Sequence, residues 1–110
     1  MNGRDAEQTA FDYLRKQGLS EIERNYHCRF GEIDLIMRDR DSLVFVEVRM
    51  RTSNKFGGAL ASIDTRKKKK LLATARHYMA AKGTFSDCRF DAVLLNSDNR
   101  IEWIRNAFGE

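Results

Sequence analysis

From Asp5 to Gln17 the apolar residues Ala6, Ala10, Phe11 and Leu14 recur at helical spacing, and Gly18 stands where such a helix closes in a left-handed cap. Ser20 to Tyr26 alternates instead, with Ile22, Arg24 and Tyr26 against Glu21, Glu23 and Asn25, which is the pattern of a strand. Gly31 opens a second strand over Glu32–Met37, and the charged stretch Arg38 to Ser42 turns the chain into a third over Leu43–Arg49. That third segment is dense in β-branched and aromatic residues, which fit a pleated, buried surface. Ser62 or Asp64 then caps a long helix with apolar residues Leu71, Leu72, Ala75, Tyr78 and Met79, ended by Gly83. Arg89–Leu95 and Ile101–Ile104 read as fourth and fifth strands around a Ser97-Asp98-Asn99 turn. The order αβββαββ predicts an α/β fold with a mixed five-stranded sheet flanked by helices. Its third strand, long helix and fourth strand should form a right-handed parallel crossover.

The second and third strands hold two carboxylates within apolar surroundings. With the turn centred between Arg40 and Asp41, Asp34 lies opposite Glu47 and Glu32 opposite Arg49, all four on one sheet face because strand side chains alternate. Opposed side chains sit about 5 Å apart at Cβ, and like charges there destabilise a sheet. Such a pair either shares a proton or holds a cation. Hard oxygen ligands suit Mg²⁺ or Mn²⁺. The alternative is a solvated face on which Asp34 and Glu47 pair with arginines. Ile36 and Phe45 share that face, which argues that it is covered.

Composition narrows the class. The 110 residues contain no proline, repeat or low-complexity linker, so residues 1–110 read as one domain with enough apolar content (42%) for a core. No run approaches the roughly 18 apolar residues of a membrane span, and the first residues lack a secretory h-region, so a cytoplasmic protein is expected. Net charge is +4 and the isoelectric point about 9.3. The positions of the cations matter more than their sum. Arg49, Arg51 and Lys55 follow the third strand, and Arg66-Lys67-Lys68-Lys69-Lys70 opens the long helix. Four lysines there oppose the helix dipole, which suggests phosphate contacts; a solvated basic helix end is the alternative. Cys28 and Cys88 lack paired metal-ligand spacing with His27 and His77, and free thiols are the default.

Gly31-Glu32-Ile33-Asp34-Leu35-Ile36 followed by Val44-Phe45-Val46-Glu47-Val48-Arg49 resembles the PD-(D/E)xK, or restriction-endonuclease-like, nuclease core. More closely, it is similar to the uncharacterised bacterial YraN family, related to archaeal Holliday-junction resolvases. The likeness continues through Asn25-Tyr26, Gly57-Gly58, the Lys67 helix, Arg89-Phe90-Asp91 and Asn106-Ala107-Phe108. It implies a metal-dependent endonuclease acting on DNA, branched or junction DNA included. In the superfamily the positions matching Asp34 and Glu47 ligate metal, joined by the Val48 carbonyl. The resolvase relatives add Glu7, whose alternative is an exposed first-turn glutamate.

Arg49 departs from the pattern, which usually has Lys there. Arginine stays protonated and cannot act as a general base, so its roles reduce to orienting water or neutralising phosphorane charge. Lys67, four residues before Leu71, prolongs the buried helix stripe and offers a replacement ammonium. Arg51, Lys55, Lys68, Lys69 and Lys70 would track a phosphate backbone with little base specificity. Gly57-Gly58 would let the adjoining loop adapt to a distorted or branched substrate. A resolvase needs two active sites, which favours a homodimer. Two other readings stand beside this one: a nucleic-acid-binding accessory protein without catalysis, and an interaction module presenting Tyr26, Trp103 and Phe108, residues whose ordinary role is core packing.

Overall fold

The computed structural model describes residues 3–51, 63–84, 87–96, 98 and 100–108. The elements run α1 (Gly3–Lys16), β1 (Ser20–Cys28), β2 (Gly31–Asp39), β3 (Ser42–Arg51), α2 (Thr65–Lys82), β4 (Cys88–Asn96) and β5 (Ile101–Phe108). This is the α/β order αβββαββ expected from the sequence. The strands form one mixed sheet in the order β1-β2-β3-β4-β5. Only β3 and β4 pair in parallel, from Leu43↔Cys88 to Arg51↔Asn96, because α2 returns the chain to the same end.

Each helix covers one face. Ala6, Ala10, Phe11 and Leu14 of α1 bury Leu35, Val44, Val46 and Val93 beneath them. Leu71, Ala75 and Tyr78 of α2 close the opposite face over Ile36, Phe45, Phe90 and Leu94. Each fully buried side chain of this size contributes about 1.5–3 kcal/mol relative to exposure, so these two layers hold the sheet that carries the site.

The β2–β3 hairpin has the register expected from a turn on Arg40-Asp41, with Leu35↔Val46 through Asp39↔Ser42 paired. Arg40 takes the positive φ (58°) that a two-residue hairpin turn requires at its first central position. Strict alternation, however, fails along β1 and β2. Arg24 and its partner Leu35 face α1, where the Arg24 guanidinium lies 3.7 Å from the centre of the Phe11 ring. Tyr26 and its partner Ile33, two residues further, pack with the α2-side core. Between them Asn25 adopts φ 52°, a left-handed conformation that Asn tolerates, and the strand pair changes face at that point.

β5 continues past the expected Ile104 to Phe108. Fully buried Asp91 explains the extension: it accepts hydrogen bonds from Arg89 Nε (3.0 Å), Trp103 Nε1 (2.9 Å) and the Asn106 N–H (3.0 Å). That last bond satisfies the backbone of Asn106 at φ 52°, where β5 would otherwise break. Phe108 then stacks on Phe90 with ring centres 5.2 Å apart. Phe108 is therefore core, while half-buried Tyr26 and Trp103 meet Tyr78 and Tyr13 edge to face.

Candidate functional site

The face change at Asn25 and the end of the β2–β3 ladder fall at the same level of the sheet, and acidic side chains collect there. Past Leu35↔Val46, the Asp34 carboxylate itself takes the next strand's donor, Oδ2 accepting the Val48 N–H at 2.9 Å. This fixes one oxygen of Asp34 in the gap between β2 and β3. Glu7 of α1, Glu32 and Asp34 of β2, Glu47, Val48, Arg49 and Met50 of β3 and Lys67 of α2 then line a cleft of about 480 Å³. Three of these carboxylates (Glu7, Glu32 and Asp34) each bring an oxygen within 4.8 Å of the other two.

Glu47 sits deeper, only 3% exposed and hydrogen-bonded to Asp34. Burial first, then the bond to Asp34 and the Asp34 charge, push its pKa up to about 8, against the pull of Arg49 and Lys67. With no cation present, Glu47 therefore holds its proton at neutral pH. Burial, and next the charge of Asp34, also raise the pKa of Glu7, while a hydrogen bond with Asn25 lowers it.

Both cations of the cleft converge on one atom. Arg49 Nη2 lies 3.4 Å and Lys67 Nζ 3.5 Å from Glu47 Oε2. Lys67 gets there because Asp64 caps α2, its Oδ1 accepting the Lys67 N–H at 2.8 Å, which sets the first turn against the sheet. Four carboxylates thus face two cations. The donor set is entirely hard oxygen, the set that fits Mg²⁺ or Mn²⁺ rather than zinc or copper.

The structure therefore brings together Asp34, Glu47, Arg49, Lys67, Glu7 and Val48. The single sheet face expected for Asp34, Glu47, Glu32 and Arg49 is interrupted in β2 by the change of face opposite Asn25. Glu32, expected opposite Arg49 on the face of Asp34, joins Asp34 and Glu7 in the carboxylate triplet and pairs with His27. Lys68 is half-buried, Lys69 and Lys70 are exposed, and none of the three has an acidic partner among the described residues. Lys55, Gly57 and Gly58 fall outside the described residues, as does the side chain of Arg51. His27 pairs with Glu32 and His77 with the Tyr26 hydroxyl, so the two histidines go to separate partners. Among the described residues, no helix is long and apolar enough to cross a membrane.

The family model described as "Uncharacterised protein family UPF0102" matches residues 6–95, a span that includes every residue of the cleft. Relatives run nearly the full length of the chain. A UPF0102 protein of Nitrosomonas europaea is 60% identical, over 98% of this chain and 93% of its own. One of Methylobacillus flagellatus is 55% identical, over 96% and 95%, and one of Psychromonas ingrahamii 51%, over 96% and 87%. The chain belongs to the uncharacterised protein family UPF0102.

Proposed function

We propose that this protein is a metal-dependent endonuclease that hydrolyses phosphodiester bonds of DNA, with Mg²⁺ or Mn²⁺ held by Asp34 and Glu47. The observation that carries this reading is the buried Glu47 carboxyl, joined to Asp34 on one side and to two cations on the other. A buried acid set against a second carboxyl costs stability, and a divalent ion is what makes the cost useful. Glu7 and the Val48 carbonyl complete the oxygen set. In an extended strand the N–H and C=O of a residue point toward the same neighbour, so the Val48 carbonyl faces the gap that Asp34 occupies.

When bound, the ion acts as a Lewis acid toward a phosphoryl oxygen and acidifies a water. The chain's own groups do the rest. Asp34 is held by the Val48 N–H and does not need to reorganise. Arg49 and Lys67 place two positive charges where a phosphoryl group gains negative charge as water adds and a P–O ester bond breaks. Lys67 restores the lysine ammonium that the Arg49 position lacks. Lys68, Lys69 and Lys70, with Arg51 and Lys55, supply sequence-independent backbone contacts. A homodimer would give the paired cuts that a junction requires.

Arg49 also favours a second reading, in which the fold binds DNA without cutting it. Cleavage of labelled duplex, flap, four-way-junction and single-strand substrates in Mg²⁺, Mn²⁺ or EDTA separates the two. Metal-dependent cutting is expected, lost in Asp34→Ala and Glu47→Ala and reduced at least about 100-fold in Lys67→Ala. Salt-sensitive binding with no cutting in any metal would leave the binding module.

A further inference from the structure

Among the described residues, the exposed large hydrophobic side chains are Phe30 and Met50, each 40% exposed. Met50 lines the cleft. Phe30 stands at the β1–β2 turn, two residues before Glu32, so about 7 Å along the chain from a cleft carboxylate. The turn Arg29-Phe30 is set close against α2 by Gly31, where an added Cβ would come 3.1 Å from Thr74 Oγ1 and 3.7 Å from Lys70 Cβ. The Phe30 ring is oriented by an edge-to-face contact with His77, itself fixed by a 2.7 Å hydrogen bond with the Tyr26 hydroxyl. The Arg29 guanidinium sits 4.8 Å from the ring centre. Lys70 and Arg66, one helical turn apart on α2 and both exposed, continue the positive charge toward Lys67 and the cleft.

We infer that Phe30, with Arg29 and Lys70, is a base-stacking subsite for an unpaired DNA strand leading into the cleft. An exposed aromatic ring held upright beside exposed cations is the arrangement by which single strands are bound: charge follows the backbone, and bases stack on rings and guanidinium planes. A duplex keeps its base faces stacked on one another and cannot use Phe30. The subsite therefore selects DNA with an unpaired nucleotide next to the phosphate at the cleft, and Met50 offers apolar contact to the sugar or base beside it. The inference rests on the proposed DNA-cleaving function and assigns it a substrate class.

The test is fluorescence anisotropy with labelled oligothymidylate and with a blunt duplex of equal length, in EDTA at low salt. Phe30→Ala is expected to weaken single-strand binding about 10-fold or more, the loss of one base–aromatic stack, while duplex affinity stays within about twofold. Phe30→Trp should restore single-strand affinity. A 2-aminopurine placed in the strand should be quenched by wild type and by Phe30→Trp, but not by Phe30→Ala. Wild type that binds both DNAs, with Phe30→Ala weakening neither or both equally, would overturn the subsite and leave the nuclease reading standing. Wild type that binds no DNA at all would sink both. Exposure of Phe30 keeps the substitution from disturbing the core, and thermal melting checks this directly.

Discussion

Glu47 holds its proton in a place where an unfolded chain would not. In the metal-free folded protein its carboxyl titrates near pH 8, whereas a glutamate in an unfolded chain does so near about 4.3. Between those two values the folded state binds the extra proton, so stability falls as pH rises; below the range the penalty is absent, and above it the penalty is complete. Each pH unit of separation is worth about 1.4 kcal/mol. Gln at this position is neutral at every pH, has the same shape, and its amide can donate to Asp34 as the protonated acid does. Glu47→Gln in EDTA should therefore be more stable than wild type at pH 9 by about 3–5 kcal/mol, with the difference vanishing toward pH 4. Thermal melts across pH 4–9 measure it. A gap that stays constant with pH would mean that Glu47 is not a buried, proton-holding acid.

At the scale of elements, the first turn of α2 decides whether Lys67 reaches Glu47. Asp64 caps that turn through its side chain, while Ser62, the other candidate, falls outside the described residues; Arg66, Lys67 and Lys68 there all oppose the helix dipole. Asp64→Ala should cost about 1 kcal/mol and lower the melting temperature by about 4 °C, while Asp64→Asn, which caps as well, should be near neutral. If both variants melt with wild type, the cap does not hold the turn. Much of this element was legible in advance, because Lys67 stands at helical spacing from Leu71 and Ala75. The hairpin register was legible too, since any even loop around Arg40-Asp41 pairs the same residues. The face change at Asn25 was not. It depends on one residue taking a left-handed conformation, and Asn25 alternates in sequence as a strand residue should. The end of β5 was hidden too, because Asp91 satisfies Asn106 from another strand.

Taken whole, the molecule separates its charge. The chain is basic at +4, yet the cleft presents four carboxyl groups to two cations, and Lys68, Lys69 and Lys70 stand outside its lining on α2. On the proposed function, a DNA strand drawn in by Lys68, Lys69 and Lys70 would meet negative charge where its phosphate must lie. On that function, the protein without a divalent ion would oppose part of its own binding, and with one the cleft would become attractive. Two consequences of opposite sign follow. Replacing the three lysines with alanine should weaken duplex binding and flatten the dependence of log K on log salt by about 0.9 for each lost phosphate contact. Asp34→Asn with Glu47→Gln should instead strengthen binding in EDTA by about fivefold, since removing charge about 4 Å from a phosphate relieves roughly 1 kcal/mol even in water. Ca²⁺, added in place of Mg²⁺, should tighten wild-type binding and leave the double variant unchanged. Anisotropy titrations over 50–200 mM salt, with and without Ca²⁺, read all three effects. A double variant that binds more weakly than wild type in EDTA would show that these carboxylates do not face the phosphate, and the metal-centred reading of the cleft would fall with that result.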